Sequence, residues 1–216
     1  MNNALLESAL NEFDLKLDSK SIERFTRFMD ELKRWNRSIN LTAIKQDNQI
    51  IIKHFADSLS IVPHLAQHSS LLDIGSGAGM PSIPVAILRN DLEITSIDAV
   101  DKKVRFQRHI CRMLEIGNVN VLHKRAEEMP DSEEALFDIV TSRAFRNIEQ
   151  FIHLSHRLVR PGGQLIAMMA GSGNQLPDKM DAIMARYGLN YLQSVRYSLP
   201  MKMGERHLLL VQRNSL

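Results

Sequence analysis

The sequence predicts an α/β protein: a doubly wound, Rossmann-like sheet, mostly parallel with an antiparallel edge hairpin, behind an N-terminal helical subdomain. Three observations carry that expectation. From Leu71 onward, short apolar runs alternate with stretches of helical period. No glycine occurs before Gly75, and the preceding chain reads as helical. A turn containing Gly75, Gly77 and Gly79 follows the first apolar run. The domains are accordingly drawn at 1–66 and 67–216.

The elements follow in order. Ile22, Phe25, Phe28 or Met29, Leu32 and Trp35 recur at helical spacing, with Asp18 or Ser19 placed to cap their helix. The loop "NRSINLTAIKQD" leads to a second helix over 48–65, with Pro63 near its end. Strands are expected at 71–75, 93–98, 119–123, 137–143 and 164–169. Helices are expected at 81–89, 101–116 and 147–159. Strands spaced by helices imply parallel pairing. The tail reads as a helix over 178–187 and strands over 191–198 and 206–212, the last two suited to a hairpin.

Bulk properties narrow the classes. A chain of 216 residues buries enough surface to fold without staples. Its single cysteine excludes an internal disulfide and fits a reducing compartment. A net charge of +2 is only mildly basic. No apolar run is long enough to cross a bilayer, and the acidic start lacks the order of a signal peptide. The expectation is a cytoplasmic protein with no membrane association.

The glycine turn raises the question of its ligand. A dinucleotide site uses G-x-G-x-x-G and helix N–H groups aimed at a pyrophosphate. Here the spacing is G-x-G-x-G, and Met80 stands at the third dinucleotide position. Pro81 and Pro84 remove donors from the first helical turn. That argues for S-adenosylmethionine, which has a cationic sulfonium, an ammonium and a ribose but no phosphate. Glycine allows close backbone approach, and Asp73 supplies a carboxylate just before the turn. Asp98, ending the second strand, is placed to accept from ribose hydroxyls; backbone at Ala126 and the carboxylate of Glu127 follow the third strand. Each alone has a plainer reading: a tight turn, a helix cap, a surface acid. Their joint placement at carboxyl ends of successive strands is what points to a ligand.

The acceptor is read partly by exclusion. No Asn/Asp-Pro-Pro-aromatic stretch follows the fourth strand, so exocyclic amine chemistry is disfavoured. Cys111 lies inside a helix and reads as packing, so a cysteine nucleophile is disfavoured. The segments "WNRSINLTAI", "KHFADSL", "DIGSGAGMPSIPVAI", "DKKVRF", "RAEE", "FDIVTSRAF" and "GERHLLLV" together resemble the RsmG (GidB) family of bacterial 16S ribosomal RNA (guanine-N7) methyltransferases. The likeness runs from about Trp35 to Val211, and the "WN…INLT", His54–Asp57–Ser58 and "TSRA" blocks are its most specific parts.

That resemblance implies a class I methyltransferase sheet and transfer from S-adenosyl-L-methionine, leaving S-adenosyl-L-homocysteine. The acceptor it implies is N7 of G527 in 16S ribosomal RNA, naked or within the small subunit. It implicates Gly75, Met80, Ala126, Glu127 and Arg143 in holding the donor, and puts Arg206 near the active-site face as a candidate for binding RNA. Three departures stand out: Ser82 where glycine is usual, "DAVDKK" after the second strand, and Ala170–Gly171 where Lys-Gly is usual. Guanine N7 offers a lone pair at neutral pH, so no general base is nominated. Arg143, His54 and Asn40 are candidates near the target base; His54 reads equally as capping or packing, and Asn40 as ordering its own loop. Lys102, Arg105, Arg108 and Arg112 line one face of a helix and suit RNA phosphates as well as a solvated face. Lys33, Arg34, Arg37, Lys45 and Lys53 are further basic candidates, and Trp35 reads as core rather than a base-stacking platform. No metal is expected, and a monomer is. The alternatives are a small-molecule methyltransferase, which would need a lid over a compact apolar pocket, and a non-catalytic ribosome-binding module.

Overall fold

The computed structural model describes residues 1–130, 132, 136–143, 145, 147–171 and 180–215. The N-terminal helices are α1 (Asn3–Leu10) and α2 (Ser19–Ile39). Asp18 caps α2 by accepting from Ser21 N at 2.7 Å. The predicted stripe is buried at Phe25, Phe28, Met29 and Leu32. Trp35 is half-buried, its ring against Phe106 and His109 at 5.5 and 5.0 Å.

The single helix expected over 48–65 is instead composite. It opens as α3 (Asp47–Ile50), widens to a π-helical stretch (Ile51–Ala56) and closes as α4 (Asp57–Leu59). A separate 3₁₀ turn covers Val62–His64. Pro63 in that turn offers no N–H, so it could not have continued an α-helix.

The sheet has seven strands in the order β3-β2-β1-β4-β5-β7-β6. They are β1 (Ser70–Ile74), β2 (Glu93–Asp98), β3 (Val119–His123), β4 (Phe137–Ser142), β5 (Val159–Ala170), β6 (Leu189–Leu199) and β7 (Gly204–Arg213). Strands β1 to β5 pair in parallel; β7 runs antiparallel between β5 and β6. The doubly wound sheet with its antiparallel edge hairpin is therefore present. The strand expected at 164–169 begins five residues earlier, because Pro161 and Gly162–Gly163 sit within a register shift against β4 rather than outside the strand.

Two helices, α5 (Ser82–Leu88) and α6 (Asp101–Met113), connect β1, β2 and β3. Their side of the sheet and the N-terminal helices share one continuous core that includes Phe25, Phe28, Phe55, Phe106 and Ile83. A second core gathers α7 (Ile148–Ser155) and α8 (Met180–Arg186) with Leu72, Val140, Leu165 and Leu209. Positions 178 and 179, the expected start of the last helix, lie outside the described residues. The winding reverses between β1 and β4, which places the ligand crevice of such a sheet at their carboxyl ends.

Candidate active site

At that crevice β1 ends in the glycine turn. Gly75, Gly77 and Gly79 have φ of 71°, 61° and 88°, a region open to glycine. A Cβ on Gly79 would fall 2.5 Å from Ile83 Cδ1. Gly75 N and Ser76 N donate to Ile97 O, tying the turn to β2. From α6 the buried Gln107 holds it from below. Its amide donates to Ser76 Oγ (2.9 Å) and Gly77 O (2.8 Å), while its carbonyl accepts from Ser96 Oγ (2.6 Å). Gln107 is not among the candidates expected from sequence. A polar residue in register with the buried Val104 and Cys111 was the available signal.

Asp98 is nearly buried and already engaged. Its two oxygens accept from Gly77 N (2.8 Å) and Val100 N (2.9 Å), with Lys103 Nζ at 4.0 Å. A carboxylate has lone pairs left after two such bonds, so it shapes the turn and keeps acceptor capacity. Ala126 and Glu127 lie in a 3₁₀ turn after β3; the Ala126 carbonyl accepts from Arg157 at 2.8 Å and Glu127 is exposed. Met80 is buried, on the shared core beneath the turn.

Asp73 is fully buried. Its Oδ2 accepts from the Ser82 amide at 3.2 Å and from the Ser82 hydroxyl, while Oδ1 has no partner. Burial pushes its carboxyl up to about 7, against the pull of Ser82 and Arg143. An orphaned carboxylate oxygen under a glycine turn whose following prolines offer no N–H to a phosphate fits a cationic group, and the ammonium-bearing donor expected from sequence meets that requirement. The serine that departs from the family's glycine thus fills half of this carboxylate's bonding capacity.

Beside the turn lies a cavity of about 560 Å³, lined by Lys53, His54, Asp57, Arg143, Phe145, Ala170 and Arg206 among others. Its polar wall is built around Asp57. That carboxylate accepts from Arg143 Nη1 (3.2 Å), Arg206 Nε (3.0 Å) and the Tyr197 hydroxyl (3.0 Å). Arg143 also donates to Lys53 O (3.0 Å) and His54 Nδ1 (3.2 Å). Burial, and then the Arg143 charge, push His54 down to about 3, so its imidazole is neutral. With Nδ1 accepting, the proton is assigned to Nε2, which faces Thr42 Oγ1 at 2.9 Å. Burial and the Asp57 charge push the Tyr197 phenol upward. Ala170 pairs across the strands with Arg206, so the corner that lacks the expected lysine holds a guanidinium.

The structure thus brings Arg143, His54 and Arg206 together and leaves Asn40 out. Asn40 ends α2 in a left-handed conformation (φ 46°) and faces a neighbouring groove. Asn36, not Asn40, orders the loop, donating to Thr42 O and accepting from Thr42 N at 2.9 Å each. The stripe on α6 lies elsewhere. Arg105 pairs with Asp101 at 2.7 Å, Arg108 donates to Val121 O at 2.9 Å, and Arg112 borders a cleft beside β3; Lys102 is exposed.

The match to known proteins fits this arrangement. The family model GidB, described as rRNA small subunit methyltransferase G, matches residues 21–209. The chain belongs to this family. Among its relatives, the ribosomal RNA small subunit methyltransferase G of Geobacter sp. (strain M21) is 40% identical over 214 residues, covering 97% of each chain. That of Lactococcus lactis subsp. cremoris (strain MG1363) is 36% identical over 95% of this chain and 88% of its own. The solved structure of a SAM dependent methyltransferase from Aquifex aeolicus superposes with a TM-score of 0.59, 14% identity, and coverage of 80% of this chain and 96% of that one. That likeness is one of fold.

Proposed function

We propose that this member of the GidB family transfers a methyl group from S-adenosyl-L-methionine to N7 of one guanine in 16S ribosomal RNA, with G527 as the expected position. The observation that carries this reading is a cavity whose described lining leaves no side chain free as a proton acceptor, close to a turn fitted to a cation. His54 spends its lone pair on Arg143 and is held neutral. Asp57 spends its charge on two guanidiniums. Attack by an amine or hydroxyl would need a base here. Guanine N7 needs none, because its in-plane lone pair is free at neutral pH.

Asp73, Asp98, the glycine turn and the Ala126–Glu127 segment would hold the donor. When bound, the donor supplies an electrophilic methyl carbon on a positively charged sulfur. The chain's own part is alignment and exclusion of water. Lys53, Arg143 and Arg206 present donors that suit the O6 carbonyl and phosphate oxygens of a guanine nucleotide. Asp57 fixes two of these three cations in place. Arg143 therefore belongs to the acceptor wall as much as to the donor site.

Labelled methyl transfer to naked 16S ribosomal RNA and to small subunits tests the reading, with the product mapped by strand scission specific for N7-methylguanine. Label at one guanine that becomes scissile is the expected result. Label on an exocyclic amine, or none on either RNA substrate, refutes it. The chemical step, measured in single turnovers with saturating donor, is expected to be flat with pH around neutrality; a clear ionisation there contradicts direct attack.

A further inference from the structure

The acceptor cavity is not isolated. Ile44 forms part of its wall and also part of a second depression of about 290 Å³. That groove lies between the last turns of α2 and the start of α3. Leu32 and Ile50 line its apolar side, and Asn36, Arg37, Asn40 and Lys45 its polar side. Arg37, Asn40 and Lys45 are exposed, and their side chains have no hydrogen-bond or ion-pair partner among the described residues. The Lys53 ammonium on the cavity side is likewise unpartnered among them. Lys33, by contrast, is paired with Asp47 at 2.6 Å.

The direction of α2 decides where this groove faces. Arg24 and Arg27 near its start donate to Glu115 O and Met113 O at the end of α6. Trp35 near its end packs on Phe106 and His109, further toward the start of α6. The two helices are therefore antiparallel. The C-terminal end of α2 lies toward the start of α6, which directly follows the carboxyl end of β2. Groove and cavity thus open on the same face. On α6, Arg108 and Arg112 run the other way, down the edge toward Val119 and Gly117, while Arg105 near its start is held by Asp101 and Arg108 by Val121 O.

We infer that single-stranded RNA flanking the target guanine crosses Ile44 and lies in this groove, with Arg37, Lys45 and Lys53 on its phosphates. The inference rests on the ribosomal RNA reading above and adds the route of the strand. Free cations in register with the cavity supply the charge complementarity, and the shared Ile44 wall supplies the continuity. Ile44, only partly buried over the buried Leu32 and Ile50, gives a base an apolar surface to rest on, and the Asn40 amide offers both a donor and an acceptor.

The test measures binding of labelled 16S ribosomal RNA across a salt series. In the double variant Arg37→Gln/Lys45→Gln, the slope of log affinity against log salt is expected to become shallower by about 1.4, the value for two phosphate contacts on a single strand. Donor affinity is expected to be unchanged, and methyl transfer to show a higher KM for RNA with kcat retained. Lys16→Gln/Lys20→Gln, the same charge change near the opposite end of α2, is expected to leave the slope at the wild-type value. A wild-type slope in the groove variant, or an equal change in the distal one, overturns the inference. So does a slope change that appears only with Arg105→Gln/Arg112→Gln. If the double variant loses donor binding, the two single variants are read instead, each expected to change the slope by about 0.7. Because the slope is read from binding, it decides the groove even where wild-type methyl transfer maps to a base other than the expected guanine.

Discussion

A carboxyl group with no exposed surface and one oxygen lacking a donor, as at Asp73, keeps its proton up to about pH 7. Its ordinary value is 3.8, so the folded chain holds a proton that the unfolded chain has already lost between those limits. Stability from this group is therefore fullest in acid, falls as pH rises from about 4 to about 7, and is flat beyond. Donor binding has the opposite sign, because a cation favours the ionised form. Donor affinity is expected to weaken about tenfold from pH 8 to pH 6, with proton release on binding, both read by calorimetry. Asp73→Asn should remove that pH dependence and weaken donor binding severely, while leaving the free protein at least as stable at pH 8 by thermal unfolding. Asp73 and Asp98 were legible in the sequence because they stand at or next to strand ends beside the glycine turn, and Arg143 through the family resemblance of the "TSRA" block. The Asp57 cluster was not legible as a unit, since Tyr197 and Arg206 stand 140 and 149 residues away and no local pattern joins them.

Within the elements, α6 braces the glycine turn through one buried side chain. Gln107 makes three bonds to the turn and to β2, so Gln107→Leu leaves two serine hydroxyls and a carbonyl short of partners. The expected cost is about 1–3 kcal/mol of stability per stranded group. KM for the donor should rise more than KM for RNA, which steady-state kinetics separates. Gly79→Ala meets both a positive φ and the Ile83 side chain, and should cut donor affinity further than an alanine at the unobstructed Gly77. The helical and strand periods were readable along most of the chain. What escaped was the wide π turn that carries Lys53 and His54, and the early start of β5. Both arise from tertiary context: the first sits among residues buried on several sides, and the second runs through a proline and two glycines that locally signal a break.

At the scale of the molecule, the 1–66 segment shares its core with the sheet. Phe28 stacks on Phe55 at 5.3 Å and lies 6.2 Å from Phe106 of α6, so the proposed boundary crosses a packed interior. Phe28→Ala is expected to cost about 3–5 kcal/mol and to lower one cooperative transition rather than split it, by calorimetry. A fragment spanning 67–216 is expected not to fold alone, because α5 and α6 would present that core to water. The hairpin of β6 and β7 has a further consequence. Tyr197 and Arg206 reach back to Asp57 from the last two strands. The proposed acceptor wall is thus complete only once this hairpin has joined the sheet, so docking of β6 and β7 closes it. Loosening the hairpin should then open that wall even where the glycine turn and strands β1 to β4 stay folded.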